Sequence, residues 1–183
     1  MRSLRRKAIS RYRKEVKKME ISTFQLRIDE GLRTVAVLTN KLNYDVVGDT
    51  GVLVNVLNIL RDVYGLNRMA EEYVYIACLS CSGQIIGFFE VPHGNQSSTS
   101  IGPREILVRA LSVGASAIVV AHNHPAAKIV KPSSMDIEAT KALKAACDIT
   151  GIAFVEHFII GAGSNYYSMA ENEEEIKAWK KSH

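Results

Sequence analysis

The feature that most constrains this fold is residues 115–121, a run that is apolar except for Ser116 and leads into His122-Asn123-His124-Pro125. Such a run is typical of a strand covered on both faces, which requires a sheet with helices packed on each side. Residues two apart on a strand point to the same face, so the two imidazoles lie together where the strand ends. The run therefore predicts an α/β fold with a polar site at the carboxyl end of this strand.

A carboxylate follows the two histidines at a fitting distance. Pro132 disfavours helix just before it and Ser133 is a good N-cap, so a helix is predicted to begin here with Asp136 in its first turn. Two neutral imidazoles and one carboxylate form an open zinc-ligand set that leaves a fourth position for water. The sequence thus predicts one Zn²⁺ ion held by His122, His124 and Asp136, in a metal-dependent hydrolase.

Zinc hydrolysis also needs a base and a group that steadies the oxyanion. Glu90 is the preferred base, because it ends the apolar segment 85–89, where a charge is costly unless it has a task or a partner. Ser133 is predicted to assist the water or the oxyanion in addition to capping its helix. Arg104, in the first turn of another helix, is a candidate substrate-binding residue. His157, flanked by apolar residues, is expected to support a ligand rather than to bind the metal.

The hydropathy pattern divides the chain into four segments. The fold expected for the main one is an α/β sandwich in which helices flank a mixed central sheet. In the first half the pattern is irregular: we predict a helical segment packing on the core, although residues 24–28 and 34–38 also fit short strands. The segments are a basic leader, helical or disordered, at 1–20; the helical segment at 21–70; the zinc domain at 71–170; and a polar tail at 171–183.

The positive charge of the chain is concentrated in the leader. Residues 1–18 hold nine Lys and Arg against one acidic residue, which leaves 14 basic and 18 acidic residues in a mildly acidic body. A basic helix of this kind is a candidate for contact with nucleic acid, and the alternative is a solvated leader without a partner. Both interpretations stay open at the level of the sequence.

The compartment is predicted from what the chain contains. Its apolar runs fall short of the roughly 18–20 residues that span a bilayer, and the basic leader is not followed by the apolar core of a secretory signal. Three cysteines, an odd number, argue against a disulfide framework. We therefore expect a cytoplasmic protein without a membrane partner, and a homodimer is compatible with the sequence.

Four motifs together carry a resemblance to a known family. The motifs are Pro103-Arg104-Glu105, Ala121-His122-Asn123-His124-Pro125, Pro132-Ser133-x-x-Asp136 and Glu156-His157-x-Ile159-Ile160-Gly161. Through them the chain resembles the RadC family over about residues 70–170, and that family is a branch of the JAB/MPN (JAMM) metalloprotease-like, cytidine-deaminase-like fold.

The resemblance implies a zinc metallopeptidase or isopeptidase that cleaves an amide bond in a polypeptide. It also implies a catalytic glutamate four residues before a glycine, which corresponds to Glu90 before Gly94. The zinc ligands and the supporting serine that it implies are His122, His124, Asp136 and Ser133.

The chain departs from the family pattern at several positions. The segment 125–132 is one residue longer than usual, Ala126-Ala127 replaces Ser-Gly, and Glu156-His157 replaces Asp-His. The N-terminal helix-hairpin-helix segment common in the family is not visible. Two alternatives therefore stand beside the hydrolase: a nucleic-acid-associated protein that uses the fold as a scaffold, in line with the family's historical DNA-repair label, and a catalytically silent JAB interaction module.

Overall fold

A computed structural model describes residues 16–47, 51–92 and 102–173 of the chain. Its strands are β1 (Val16–Ile28), β2 (Thr34–Val47), β3 (Val74–Leu79), β4 (Ile85–Val91), β5 (Ala117–Asn123), β6 (Ala153–Ile160) and β7 (Tyr166–Ser168). The helices of the described ranges are α1 (Val52–Asp62), α2 (Pro103–Ser112), α3 (Ser134–Thr150) and α4 (Met169–Asn172), with a 3-10 turn at Leu66–Arg68. The seven strands form one mixed sheet in the order β2-β1-β4-β3-β5-β6-β7.

Helices cover both faces of this sheet. One face packs against α1 through Leu57 and Leu60, and the other packs against α2 and α3 through Ile106 and Leu143. The central strand β5 is buried along both faces, as its apolar composition predicts. The predicted α/β sandwich with a mixed sheet is confirmed.

The pairing of β5 determines where functional groups can meet. It runs parallel to β6, to which α3 provides the crossover, and antiparallel to β3 on its other side. In the antiparallel pair Val74 lies opposite His122, so the start of β3 meets the end of β5. The carboxyl end of β5, the start of α3 and the segment before β3 therefore converge at one edge of the sheet.

The prediction of a helical segment at 21–70 is wrong for most of its length. Residues 16–47 form a long antiparallel hairpin, β1 with β2, and the two short strands at 24–28 and 34–38 are parts of it. The hairpin turn is held by Asp29, whose carboxylate accepts hydrogen bonds from the backbone N–H groups of Gly31 and Arg33. The many β-branched and aromatic residues of this region pack better on a pleated sheet than on a helix. Among the described residues of this segment, helical structure is limited to α1 and the following 3-10 turn.

The two ends of the chain are described only in part. Residues 16–20 belong to β1, so the predicted helix of the basic leader does not extend through them, and residues 1–15 lie outside the described ranges. Within the predicted polar tail, the short helix α4 ends at Asn172, and residues 174–183 are likewise outside. Among the helices that are described, none combines the length and apolar composition needed to cross a membrane.

Substituting Gly87 tests the attachment of the hairpin to the sheet. In β4 a Cβ at Gly87 would lie 2.5 Å from a ring carbon of Phe24 and 2.6 Å from the carbonyl oxygen of Ser22, both on β1. Gly87→Ala is therefore expected to lower the free energy of unfolding by about 1–3 kcal/mol, because the hairpin backbone must move.

Urea unfolding measures this change, and Gly31→Ala at the exposed hairpin tip is the matched control. A Cβ at Gly31 meets mainly the flexible side chain of Arg33, at 3.3 Å, so its cost should be small. Equal unfolding free energies for the two variants would contradict the described contact between β1 and β4.

Candidate metal centre

Two histidines stand at the carboxyl end of β5. His122 is 2% exposed and lies on the face covered by α2 and α3, and His124 follows just beyond the strand end, partly open to solvent. The backbone N–H of His124 donates to the carbonyl oxygen of Ile160 on β6, which continues the strand geometry past Asn123. The Nε2 atoms of the two imidazoles face each other at 3.2 Å.

The first turn of α3 brings a carboxylate to these nitrogens. The backbone N–H and the hydroxyl of Ser133 each donate to Oδ2 of Asp136 at 2.7 Å, and the N–H of Asp136 donates back to the hydroxyl. This reciprocal capping box turns the carboxylate toward β5. Its Oδ1 lies 3.2 Å from Nε2 of His122, and its Oδ2 lies 3.4 Å from Nε2 of His124.

These separations suit a tetrahedral ion. For Zn–N distances of about 2.0–2.1 Å, the edge of a coordination tetrahedron is about 3.3–3.4 Å. The two Nε2 atoms are 3.2 Å apart, and the Asp136 carboxylate lies 3.2 Å from Nε2 of His122 through Oδ1 and 3.4 Å from Nε2 of His124 through Oδ2, so each spacing is close to this value although the carboxylate uses both oxygens. The donor set fits zinc, and the longer loop 125–132 does not separate Asp136 from the histidines.

The loop 125–132 contains one residue with a strained backbone conformation. Ala126 adopts φ 57°, in the left-handed region that a glycine tolerates more easily. Beyond it the carbonyl oxygen of Ala127 accepts from the N–H of Ala162 at 2.8 Å, and Val130 is buried against Ile159. The segment is thus anchored on the end of β6 before it delivers Ser133 to the helix.

A second carboxylate, which the sequence analysis did not single out, stands at the site. In the described part of the chain, ligand atoms of Glu72, His122 and His124 lie within 4.8 Å of one another, and Oε1 of Glu72 is 3.7 Å from Nε2 of His124. Glu72 precedes β3, whose start meets the end of β5. The available signal was a pair of acidic residues directly before a buried strand, but only the β3–β5 pairing shows which histidines they meet.

Asn123, between the two histidines, fixes the segment that carries Glu72. Its side-chain oxygen accepts from the N–H of Tyr73 at 2.7 Å, and its amide nitrogen donates to the carbonyl oxygen of Glu71 at 3.0 Å. The residue is buried, so both bonds are costly to lose. The segment His122-Asn123-His124 therefore positions the carboxylate of Glu72 as well as the two imidazoles.

Glu90 is not part of this cluster. Tyr75 pairs with both Glu90 and Ala121, whereas Val74 pairs with His122, so Glu90 and His122 lie on opposite faces of the sheet. The Tyr75 hydroxyl donates to the Glu90 carboxylate at 2.7 Å, and burial together with this carboxylate raises the pKa of Tyr75. The position of Glu90 does not support its predicted role as the base.

A β-bulge explains this difference. Leu79 pairs with Ile85 next to the hairpin turn, but Cys78 pairs with Gly87, so Ile86 is the extra residue. The bulge shifts the remaining register by one position, and a shift of one residue moves every later side chain to the other face.

The remaining predicted residues differ in how close they come to the cluster. The side chain of Arg104 is 86% exposed and pairs with its neighbour Glu105 at 3.5 Å, and it makes none of the described hydrogen bonds or ion pairs with the cluster. Ser133 lies at the cluster, where its hydroxyl holds Asp136. His157 contacts His122 from behind, with 2.8 Å between its Nε2 and Nδ1 of His122.

The electrostatics of the cluster favour a cation. Burial alone would raise the pKa of Asp136, but its hydrogen bonds with His122 and His124 hold that pKa well below the usual range. The hydrogen bond with Asp136 raises the pKa of His124. Burial, together with the neighbouring His122, lowers the pKa of His157 well below its usual value, so His157 is neutral.

Glu156 forms a structural anchor next to His157. It is 1% exposed, and its carboxylate accepts from the backbone N–H of His157 at 2.8 Å, the hydroxyl of Ser168 at 2.7 Å and the N–H of Ala170 at 3.0 Å. These bonds tie β6 to β7 and α4. The Glu156-His157 pair therefore fixes the strand that supports the metal ligands.

Comparison with known proteins agrees with this architecture. A UPF0758 protein of Actinobacillus pleuropneumoniae serotype 5b (strain L20) is 43% identical over 108 residues, covering 59% of this chain and 48% of the relative. A UPF0758 protein of Alkaliphilus oremlandii (strain OhILAs) is 33% identical over 141 residues, covering 77% and 57%. The chain spans about half the length of the curated relatives it matches.

The family match covers the structural elements that build the metal centre. Residues 54–175 match the family described as the RadC-like JAB domain, a range that includes the segment before β3, the end of β5 and the whole of α3. The chain belongs to the RadC family and carries its JAB domain.

Proposed function

We propose that this protein is a zinc-dependent hydrolase that cleaves an amide bond in a peptide or isopeptide substrate. The observation that carries the proposal is the convergence of His122 Nε2, His124 Nε2 and the Asp136 carboxylate at separations of 3.2–3.4 Å. Membership of the family supports it, because JAB domains are often hydrolytic and typically metal-dependent. The amide class follows from the resemblance to JAB/MPN metalloproteases.

The protein contributes ligands, a base and their supports. A bound zinc ion would supply a Lewis acid that lowers the pKa of water and polarises a carbonyl group. We assign the base to Glu72, whose carboxylate is about one-third exposed and lies farther from the histidines than Asp136 does. Oε1 of Glu72 is 3.7 Å from Nε2 of His124, so a water at the open position of a bound metal would lie beside this carboxylate, within reach for proton transfer. Asn123 keeps Glu72 in place, and Ser133 keeps Asp136 turned toward the histidines.

The ligand assignment predicts the metal content of variants. Purified protein is expected to bind close to one zinc per chain, and Asp136→Ala is expected to lose it, because with Glu72 as the base the variant keeps two histidine ligands only, which bind zinc far more weakly. Asp148→Ala is the matched control: Asp148 lies on the same helix, is about half exposed and pairs with Lys144. Elemental analysis after dialysis measures the content. Zinc-free wild-type protein, or equal zinc in the two variants, would contradict the assignment.

The assignment of the base to Glu72 predicts different hydrolytic rates for two glutamate variants. Glu72→Gln is expected to retain zinc and to lose about 10²–10⁴-fold in hydrolytic rate, because the amide cannot accept the proton. Glu90→Gln, on the other face of the sheet, is expected to retain both zinc and activity. Rates on a panel of peptide and isopeptide substrates make the comparison.

Two other outcomes of that comparison, and one DNA-binding result, would favour a different assignment. Loss of activity in Glu90→Gln but not in Glu72→Gln would return the base to Glu90. A zinc-loaded wild-type protein that cleaves nothing in the panel would favour the silent interaction module. Salt-sensitive DNA binding that survives Asp136→Ala would favour the nucleic-acid-associated alternative.

A further inference from the structure

A row of polar side chains runs from the backbone of α3 to the back of His122. The hydroxyl of Thr140 lies 2.6 Å from the carbonyl oxygen of Asp136 and 2.7 Å from Nδ1 of His157. Nε2 of His157 in turn lies 2.8 Å from Nδ1 of His122. Thr140, His157 and His122 are each at most 2% exposed, so water does not compete for these bonds.

The number of hydrogens on these groups determines which atom donates in each hydrogen bond. A hydroxyl has one hydrogen, and a carbonyl oxygen can only accept, so the Thr140 hydroxyl donates to the Asp136 carbonyl. The second contact of Thr140 is then a hydrogen bond only if Nδ1 of His157 carries the proton. With the opposite arrangement, the hydroxyl oxygen and the carbonyl oxygen would stand 2.6 Å apart with no hydrogen between them.

The same count continues to the metal ligand. With Nδ1 of His157 protonated, the lone pair on its Nε2 can accept a hydrogen bond from Nδ1–H of His122. In the metal-free protein Nε2 of His122 is hydrogen-bonded to Asp136, and when a metal takes the place of that hydrogen, the proton that His122 keeps is on Nδ1, facing His157. The other tautomer of His122 would point an N–H into the ligand cluster and block coordination.

We propose that Thr140 is a positioning residue that acts through His157 to set the tautomer of His122, so that Nε2 is available to the metal. The inference deepens the proposed function and depends on it for the identity of the metal. It also links two ligands: the side chain of Asp136 faces the metal, while its carbonyl oxygen, four residues before Thr140, orients the hydroxyl that selects the tautomer of His122.

The wild-type protein tests the proton positions directly. Long-range ¹H–¹⁵N correlation spectra of the imidazoles distinguish a protonated ring nitrogen from an unprotonated one. The expected result is His157 protonated on Nδ1 alone, with and without added zinc, and His122 protonated on Nδ1 in the zinc-loaded state. A proton on Nε2 of His157 would overturn the proposal.

Variants of Thr140 test whether the hydroxyl sets this pattern. Thr140→Val keeps the shape but removes the hydroxyl, so His157 should lose its preference for the Nδ1 proton, and zinc affinity should fall about 10–100-fold, as is typical for groups behind metal ligands. Thr140→Ser restores the hydroxyl and should restore both the spectrum and the affinity.

The same helix offers a matched control. The hydroxyl of Thr150 also donates to a carbonyl oxygen four residues back, that of Ala146 at 3.0 Å, but Thr150 is exposed at the end of α3, away from the histidines. Thr150→Val should leave zinc affinity and the His157 spectrum unchanged. Wild-type affinity and spectrum in Thr140→Val would overturn the proposal.

The two parts of the experiment fail independently. If wild-type protein binds no zinc, the proposed function fails, while the spectrum of metal-free His157 still decides where its proton lies. If zinc binds normally but His157 carries its proton on Nε2, the role of Thr140 fails and the metal centre stands.

Discussion

The reciprocal hydrogen bonds between Ser133 and Asp136 are the interaction on which the site depends. They begin α3, the crossover between β5 and β6, and they also hold the Asp136 carboxylate against the two histidines. The side chain of Asp136 therefore both completes the helix cap and is a candidate metal ligand. Because the cap defines where the helix begins, it also places Thr140 one turn later, against His157. The position of the Asp136 carboxylate relative to the two histidines thus depends on hydrogen bonds within residues 133–136.

The sheet contributes the partners that such a local interaction cannot supply. Antiparallel pairing of β3 with β5 brings Glu72 to His124, and Asn123 locks that approach through the backbone on both sides of Glu72. Parallel pairing of β5 with β6 brings His157 behind His122. His122 thus rests on the buried His157, and Glu72 is held by the buried Asn123, which is the kind of arrangement that preorganises a metal site. The strands β1 and β2, at the far side of the sheet, take no part in these contacts.

The features predictable from sequence were those encoded within a few consecutive residues. The buried strand, the His-x-His spacing and the helix start at Ser133 all appear in the structure where the sequence places them, because each depends on strand periodicity or on a cap. The base was not predictable in this way. Counted from the turn before β4 without a bulge, Glu90 would lie opposite Val74 and on the same face as His122. The bulge at Ile86 places it opposite Tyr75 instead, on the other face of the sheet. Glu72 reaches the site through a pairing between strands separated by β4 and α2, for which the sequence holds no local signal.

X-ray absorption at the zinc edge of the reconstituted protein reports the atoms bound to the ion. We expect two imidazole nitrogens at about 2.0–2.1 Å and one carboxylate oxygen at about 2.0–2.2 Å, with the nitrogen signal halved in His122→Ala. Sulfur at about 2.3 Å, which only ligation by cysteine explains, or a shell of oxygens without imidazole, would contradict a metal centre built from His122, His124 and Asp136.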